Sequence, residues 1–577
     1  MLFERSPELK RWFAENAAHG ETERVRQLKR KWSYSRCSEY EHLEYDWWGR
    51  NAAATETISP KVLEDRGWET ISETIPIARR RPSAPGRLGK LIVERFTGLV
   101  FSQSRRPRVS VERDPDTEEF VTAAVEQSKF WMRMREARTL GGAVGAVAAS
   151  AHLRDGQFSI DIHPSWQCIP RFKDRRTQEL RALLRQYTYI EEEEEVDDKT
   201  GAPTGRTVDR EYLYRRYMDD RVDVLYKPWP LDLGPPPWQD EEGTEPGDPR
   251  SAFEGAVEHG LGRCPAVWVQ NLSCTEHFDG DSDCEGAWQT FDAIDRLTSQ
   301  ANRSLLVNLD PTLFGTVDLA YLEQMGGTVR KGSDNAIFLP TGSSANYLEI
   351  NTTGVDAALK LADRFKQQGL DICRAVIVDP EKISGAAQSA KAIEYIYASM
   401  LEKADDLRDQ YGCGLVQPLL ELFVLIARKA SAGTGELMPG VFDLPPRQDG
   451  SNHRLGPSER IALRWGPYFQ ATEQDAASSV QTSTLARQGE LIDHETAVKR
   501  VAQYFGVEDV PAMMKKIAAE REAMMAEMMP PEPGMVEMPP VPDPTEGGAG
   551  PVALGEARSG TGVRVSGRMG DAEVEHE

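Results

Sequence analysis

The residues from Gly354 to Lys429 constrain the fold most, because two helical patterns are separated by a loop that neither helix can contain. In the first pattern, apolar residues recur at helical spacing and charged residues occupy the other face. Pro380 disfavours helix at its own position and at Asp379, so the first helix ends before them. Ser384 then offers an N-cap oxygen. The stretch predicts a helix, a loop and a second helix.

The second helix is predicted over Ala387 to Tyr411, roughly 37 Å at 1.5 Å per residue. Gly412 and Gly414, followed by Pro418, predict a kink after it. Residues 415–426 are apolar almost all round, which indicates a buried segment. The residues predicted to pack the long helix are Ile393, Ile396, Met400 and Leu407.

Charge and hydropathy limit the classes of function open to this chain. Its 577 residues carry a formal net charge of -23, and 40% of them are hydrophobic. This length predicts several structural parts. Proteins that grip duplex DNA do so with clustered lysine and arginine. We therefore expect no tight binding of DNA, although an acidic wall suits a conduit through which DNA passes.

Neither a membrane span nor a secretory signal is predicted. The sequence has no run of eighteen apolar residues, and it is charged from Glu4 onward. We expect synthesis and assembly in the cytoplasm of the producing cell.

Helical and strand patterns are segregated along the rest of the chain, which predicts an α+β fold. Helices are predicted over 88–100, 118–148, 474–487, 494–505 and 511–529. Strands are predicted over 157–162, 183–190, 211–218 and 221–226, as an antiparallel meander, with a strand-like return at 460–469. From residue 531 onward proline, glycine and acids dominate, which predicts disorder.

Three aspartates at alternate positions, Asp279, Asp281 and Asp283, resemble the start of an EF-hand calcium loop. Cys284 stands where that loop requires glycine, and Thr290 stands where it requires a bidentate glutamate. We therefore expect no calcium site.

A helix start is the better interpretation of the same segment. Ser282 and Glu285 have the spacing of a capping box. An apolar stripe then runs to about Val307.

No metal, cofactor or catalytic site is predicted. The seven cysteines form no CxxC pair and no Cys/His cluster of zinc spacing, which predicts inert, reduced thiols. No P-loop, GxSxG, HExxH or dinucleotide-binding fingerprint occurs. The acidic run 191–195 could serve a metal-dependent hydrolase. Consecutive strand residues, however, point to opposite faces and seldom converge on one ion.

A basic segment over 74–113 holds ten lysines and arginines against two glutamates. It could contact phosphate or an acidic neighbouring subunit. Alternatively, it pairs with this chain's own acids at 191–195, Asp197 and Asp198.

The order of helix, loop, Ser-Gly, long helix and kink resembles the portal, or head-to-tail connector, proteins of tailed double-stranded DNA bacteriophages. In that family a Ser-Gly-x-Ala pattern opens the tunnel helix, and here it is Ser384-Gly385-Ala386-Ala387. Gln388 departs from the pattern, since many relatives carry leucine there. The run from Cys264 to Asn271 also resembles a Pro-Val-x-x-x-Asn run that closes the first part of the wing in relatives.

The resemblance implies a portal-type ring subunit with an α/β wing, a two-helix stem, a small clip, a long kinked tunnel helix and a helical crown. The implied boundaries are an N-terminal arm at 1–85, the first part of the wing at 86–282, stem helix 1 at 283–308, the clip at 309–351, stem helix 2 at 352–375, the tunnel loop at 376–386, the tunnel helix with the second part of the wing at 387–472, the crown at 473–530 and a disordered tail at 531–577.

The resemblance also implies a function. Such a subunit forms a ring homo-oligomer, a homododecamer, at one capsid vertex of the virion, and serves viral capsid assembly, DNA packaging and viral genome ejection. The implied partners are the terminase large subunit, the major capsid and scaffolding proteins, a head-tail adaptor and double-stranded DNA in transit, weakly bound; no membrane is implied. No residue is catalytic, because the packaging ATPase is the separate terminase.

Two sets of site residues follow from the same resemblance. The tunnel loop would present Asp379, Glu381, Lys382 and Ser384 to the DNA channel. The clip would offer Arg330 and Lys331 as a docking edge for the motor or adaptor. Two alternatives remain open: a metal-dependent hydrolase that uses the acidic loops, and a ring-forming structural protein unrelated to DNA.

Overall fold

The computed structural model describes most of the chain and all of the long helical patterns except the beginning of the tunnel helix. The described residues are 7–16, 21–47, 76–174, 178–196, 203–234, 253–309, 312–316, 344–348, 353–377, 395–431, 437, 442–445, 447, 451–457, 460–469, 473–502 and 510–528. Within these ranges the fold is α+β, which confirms the predicted fold class.

Helices in the described part of the chain follow most of the predicted patterns, and the departures are discussed below. Their bounds are α1 Pro7–Asn16, α2 Glu23–Arg36, α3 Leu88–Phe101, α4 Pro115–Gln127, α5 Phe130–Val144, α6 Trp288–Leu309, α7 Thr353–Ile372, α8 Ala398–Tyr411, α9 Gln417–Ala430, α10 Glu473–Gln488, α11 His494–Ala502 and α12 Val510–Met528.

The strands outnumber those predicted, because several are short. Their bounds are β1 Arg108–Val111, β2 Ala146–Arg154, β3 Gln157–Pro164, β4 Cys168–Asp174, β5 Glu179–Val196, β6 Pro203–Asp219, β7 Val222–Tyr226, β8 Trp229–Pro230, β9 Phe253–Glu258, β10 Ala266–Gln270, β11 Thr312–Thr316, β12 Ser344–Leu348 and β13 Ile461–Arg464.

The strands form antiparallel sheets. The largest has the order β4-β5-β6-β7-β9, with β8 beside β6, and contains the predicted meander. A second sheet has the order β10-β2-β3, while β1 pairs with β13 and β11 pairs with β12. The predicted strand at 157–162 is β3, and it joins the second sheet, not the meander.

The main core lies where α3, α4, α5, α8 and α9 pack against the sheet β10-β2-β3. Helix α3 contributes Ile92, Phe96 and Val100, which are four residues apart and fully buried. Helix α9 contributes Leu419 and Phe423 at the same spacing. This spacing places each set on one helix face, as amphipathic packing requires.

Strand β2 is buried on both faces. Val147 and Ala149 belong to the main core, whereas Ala146 and Ala148 pack with Leu183 of the largest sheet. Successive strand residues point to opposite faces, so a strand between a helical layer and a second sheet reads as a continuous apolar run.

That run explains one wrong prediction, the single helix over 118–148. The structure divides it: Lys129 has a left-handed φ of 51° and separates α4 from α5. The small residues from Ala146 onward belong to β2. Periodicity does not distinguish a strand buried on both faces from a buried helix.

A π-helical turn, Gly412–Val416, joins α8 to α9 at the place where a kink was predicted. Such turns are one of the recognised causes of helix bending. Pro418 follows this turn as the second residue of α9, and because it has no N–H it cannot donate to the preceding helical turn.

Within the described residues, one helical stretch, Ala398–Ala430, is long and apolar enough to cross a membrane. However, 56% of its most apolar window is buried inside the protein. Leu407, Tyr411 and Phe423 of this stretch all belong to the main core. Packing within the protein therefore accounts for its apolar character.

The chain divides into two compact units, residues 1–478 and 479–577. Within the second unit, α11 packs against α12. Ala497 and Ala502 are buried there. These helices occupy the region assigned to the crown.

Candidate functional site

A buried ion pair lies at the junction of three helices. The Arg138 Nη2 of α5 donates to both carboxylate oxygens of Asp283, at 3.1 and 3.0 Å. Both side chains are fully buried. Asn271 Nδ2 donates to the same carboxylate at 3.1 Å, and the Arg138 guanidinium lies 5.3 Å from the centre of the Tyr411 ring. Charges buried this deeply need such partners.

Lys403 of α8 connects this junction to both helices of the predicted stem through hydrogen bonds. Its Nζ donates to the backbone oxygen of Asp283, just before α6, at 2.8 Å, and to that of Cys373, just after α7, at 3.0 Å. The same ammonium lies 4.0 Å from Asp283 Oδ1. One cation thus joins the start of α6, the end of α7 and the kinked helix. We call Arg138, Asn271, Asp283, Lys403 and Tyr411 the junction network.

Two buried thiols lie beside the junction network. A hydrogen bond from Cys284 lowers the pKa of Cys373, and burial raises the pKa of Cys284. Both cysteines are free thiols.

The junction network leaves no room for side chains at Gly141 and Gly142 of α5. A Cβ at Gly141 would overlap the Tyr411 hydroxyl, and one at Gly142 would overlap Arg138 Nη1. Small residues let a backbone approach its neighbours closely. The close approach found is between the helix backbone and these polar side chains.

We expect Gly142→Ala to lower the free energy of unfolding by roughly 1–3 kcal/mol, because the added methyl group must displace the buried ion pair. Gly98→Ala on α3 is the matched control, since a Cβ there meets nothing within 4 Å. That control should be neutral or stabilising by up to about 1 kcal/mol. Chemical denaturation of both variants measures the difference, and equal stabilities would contradict the close packing described.

The helices α6 and α7 form an antiparallel hairpin. The buried residues of α7 are few and form a narrow seam: Val355, Ala362, Gly369 and Leu370. A Cβ at Gly369, near the end of α7, would lie 2.9 Å from the ring of Phe291, near the start of α6. The strands β11 and β12, which pair antiparallel, follow α6 and precede α7.

Large apolar side chains remain exposed on this hairpin. Five of them are leucines with exposed fractions from 41% to 74%: Leu305, Leu306, Leu309, Leu359 and Leu361. Leu359 and Leu361 are two residues apart on α7, so they point about 200° apart around the helix. The hairpin therefore exposes apolar surface in more than one direction.

The residues predicted to pack the long helix differ in their burial. Met400 and Leu407 are buried. Ile396 is 42% exposed in the single chain, so its role in packing the long helix stays a prediction. The helical geometry is interrupted at Tyr397, with φ of -95° and ψ of 6°, and α8 begins at Ala398. Ile393 lies outside the described residues.

The remaining predicted site residues also lie outside the described part of the chain. They are Asp379, Glu381, Lys382 and Ser384 of the tunnel loop, and Arg330 and Lys331 of the clip. The predicted disordered tail, 531–577, lies outside it as well.

The three aspartates that resemble a calcium loop have different partners. Asp279 binds Arg24 with an oxygen–nitrogen distance of 2.7 Å, and Asp283 belongs to the junction network. The Ser282 backbone N–H donates to Glu285 Oε2 at 3.3 Å, which is one of the two hydrogen bonds of a capping box. However, a turn intervenes, and α6 begins only at Trp288.

The third aspartate has different neighbours, which the sequence analysis missed. Cys274, His277 and Asp281 place their potential ligand atoms within 4.8 Å of one another. They match neither a CxxC pair nor a common Cys/His zinc spacing, because the set is one cysteine, one histidine and one aspartate. The local signal is the pattern Cys-x2-His-x3-Asp.

Two arginines of the basic segment and one glutamate of the acidic run have partners elsewhere in the chain. Arg81 Nε donates to the backbone oxygen of Leu43 at 2.6 Å, and Arg105 Nε donates to that of Tyr468 at 2.7 Å. Glu193 contacts Arg210 of the neighbouring strand. None of these contacts joins the basic segment to the acidic run.

A cleft of about 750 Å³ lies between the two larger sheets. Arg216 there binds Asp223 through Nε at 2.9 Å and Nη2 at 2.7 Å. Burial lowers the pKa of the neighbouring His152 to about 4, so this imidazole is neutral at physiological pH. In this cleft the charges of Arg216 and Asp223 are therefore paired with each other.

Comparisons with known proteins were made at three levels. No protein-family model matches the chain, and no curated protein matches it. Among solved structures, it is similar to a chain from one described as "Neck of native GTA particle computed with C12 symmetry". The TM-score is 0.32 and the identity 11%, over 73% of this chain and 95% of that chain. A TM-score of this size does not establish a shared fold.

Proposed function

We propose that this chain is a structural protein of a tailed bacteriophage particle and, more specifically, a portal subunit. Twelve copies would form a ring at one capsid vertex. The observation that carries the proposal is the α6–α7 hairpin, which exposes leucines on more than one side. A subunit in a ring has two different neighbours and needs two different contact faces.

The energetic argument concerns the five exposed leucines of the hairpin. Burying the exposed half of a leucine stabilises an interface by roughly 1 kcal/mol. Five such side chains per subunit therefore contribute several kcal/mol to each contact with a neighbour. The seam between α6 and α7 is too narrow to cover them within one chain.

In the proposed ring, the hairpin is the stem, and α8 to α9 form the tunnel helix that follows the DNA-facing loop. The junction network holds the stem to this helix. The net charge of -23 suits a wall that lets DNA pass without holding it. The proposed subunit has no catalytic residue or cofactor, because the terminase large subunit supplies ATP hydrolysis.

The first test is the mass of the purified protein. We expect light scattering to give a multiple of 64.4 kDa at micromolar concentration without nucleic acid, and negative-stain images to show rings with a central hole. A stable monomer would contradict the proposal. A ring that fails to capture a terminase large subunit would instead favour a ring-forming protein unrelated to DNA.

The terminase measurement needs a variant that leaves the ring intact. Arg330→Glu with Lys331→Glu reverses charge in the segment proposed as the clip. We expect this double variant to form rings and to capture less terminase, through lost electrostatic steering. The major capsid and scaffolding proteins and the head-tail adaptor are the other proposed partners.

A further inference from the structure

The loop that joins β10 to α6 holds three side chains with metal-binding atoms. Cys274 Sγ lies 3.9 Å from His277 Nε2, and His277 Nε2 lies 4.0 Å from Asp281 Oδ1. All three atoms lie within 4.8 Å of one another. In a tetrahedral zinc site with these ligands, neighbouring ligand atoms are roughly 3.3–3.6 Å apart. Shifts of a few tenths of an ångström per side chain would bring the three onto one ion.

The backbone of this loop is fixed at several points. Gln270 Nε2 donates to the backbone oxygens of Cys274 and His277, at 3.4 and 3.0 Å. The Asp281 backbone N–H donates to Leu272 at 3.0 Å, and Asn271 Nδ2 donates to the Asp281 backbone oxygen at 3.0 Å. Because these bonds hold the backbone of all three residues, little conformational entropy remains to be lost when an ion binds.

Trp268 and Arg24 also hold the loop in place. Trp268 Nε1 donates to the backbone oxygen of Phe278 at 3.0 Å. The Arg24 guanidinium lies 4.7 Å from the centre of the Phe278 ring and binds the Asp279 carboxylate. Because Asp279 binds Arg24, Asp281 is the aspartate whose carboxylate lies near Cys274 and His277.

We propose that Cys274, His277 and Asp281 bind one Zn²⁺ ion. Thiolate, imidazole and carboxylate together are zinc ligands, whereas calcium and magnesium take oxygen ligands. The His277 and Asp281 side chains are 48% and 39% exposed, so the fourth position is open to water. The bound ion would cross-link the connection from β10 to α6. This assignment is independent of the proposed ring.

The test uses the full-length protein, freed of metal with a chelator and then titrated with Co²⁺ and Zn²⁺. We expect one ion per chain and a thiolate-to-cobalt charge-transfer band. Cys274→Ser should remove that band, and His277→Gln and Asp281→Asn should each weaken Zn²⁺ binding at least about 10-fold. Cys413→Ser is the matched control, because Cys413 is an exposed thiol outside the loop. It should bind as the parent does.

Three results would overturn the assignment. One is a parent protein that retains no zinc after dialysis. Another is cobalt binding without a charge-transfer band. The third is a Cys274→Ser variant that binds zinc as tightly as Cys413→Ser does. Circular dichroism of each variant ensures that lost binding reflects a lost ligand and not a lost fold.

Discussion

Asp283→Asn is expected to lower the free energy of unfolding by about 3–5 kcal/mol, the largest effect of any single substitution considered for this protein. The carboxylate is fully buried and accepts hydrogen bonds from Arg138 and Asn271. Asparagine has nearly the same shape but carries no charge, so the Arg138 guanidinium and the Lys403 ammonium would stay buried without their counter-ion. The midpoint of chemical denaturation, followed by tryptophan fluorescence, measures the loss.

The matched control is Asp356→Asn on α7, where the side chain is exposed and the same chemical change should be within about 0.5 kcal/mol of neutral. A second comparison replaces both partners, Arg138→Met with Asp283→Leu. This double variant should be more stable than Asp283→Asn alone, because the buried Arg138 charge is removed together with its counter-ion and only Lys403 is left without one. Stability of Asp283→Asn equal to that of the parent would mean that the buried pair contributes nothing.

Leu359→Asp combined with Leu361→Asp is expected to abolish ring assembly while leaving the subunit folded. In the single chain both positions are more than 40% exposed, so an aspartate there keeps much of its hydration. In the proposed ring the same carboxylates would be buried against neighbours, and subunit association should weaken by at least about 100-fold. Light scattering at micromolar concentration measures the shift from ring to monomer.

Leu359→Met with Leu361→Met is the control for this pair, because methionine keeps the apolar character and nearly the volume of leucine. It should assemble as the parent does. If the aspartate variant forms rings of full mass, the hairpin leucines do not lie at the contacts between subunits. Far-UV circular dichroism of the aspartate variant distinguishes failed assembly from failed folding.

Features with a local signal were predictable from the sequence. A helix was expected from the apolar spacing after Gly354, with its end before Asp379, and α7 runs from Thr353 to Ile372. Both signals come from residues that are close together in sequence. The irregular turn after Tyr411 was likewise expected from two glycines and a proline.

Features that depend on tertiary contacts were not predictable. Arg138 and Asp283 are 145 residues apart, and neither residue has a neighbour in sequence that indicates the other. Strand β2 was mistaken for helix because its second buried face exists only once the largest sheet packs against it. Lys129 ends a helix with a positive φ, which its residue type does not favour.

The π turn at Gly412–Val416 also fixes a rotation about the helix axis. The buried side chains Tyr411, Leu415, Leu419, Phe423 and Ala427 recur every four residues. In an uninterrupted α-helix, with 3.6 residues per turn, such a series would drift by about 40° at each step and leave the core face. A π turn takes up one extra residue and so resets the phase by about 100°. The number of residues in this turn therefore decides which side of α9 faces the sheet, and one residue more or fewer would rotate α9 by about 100° relative to it.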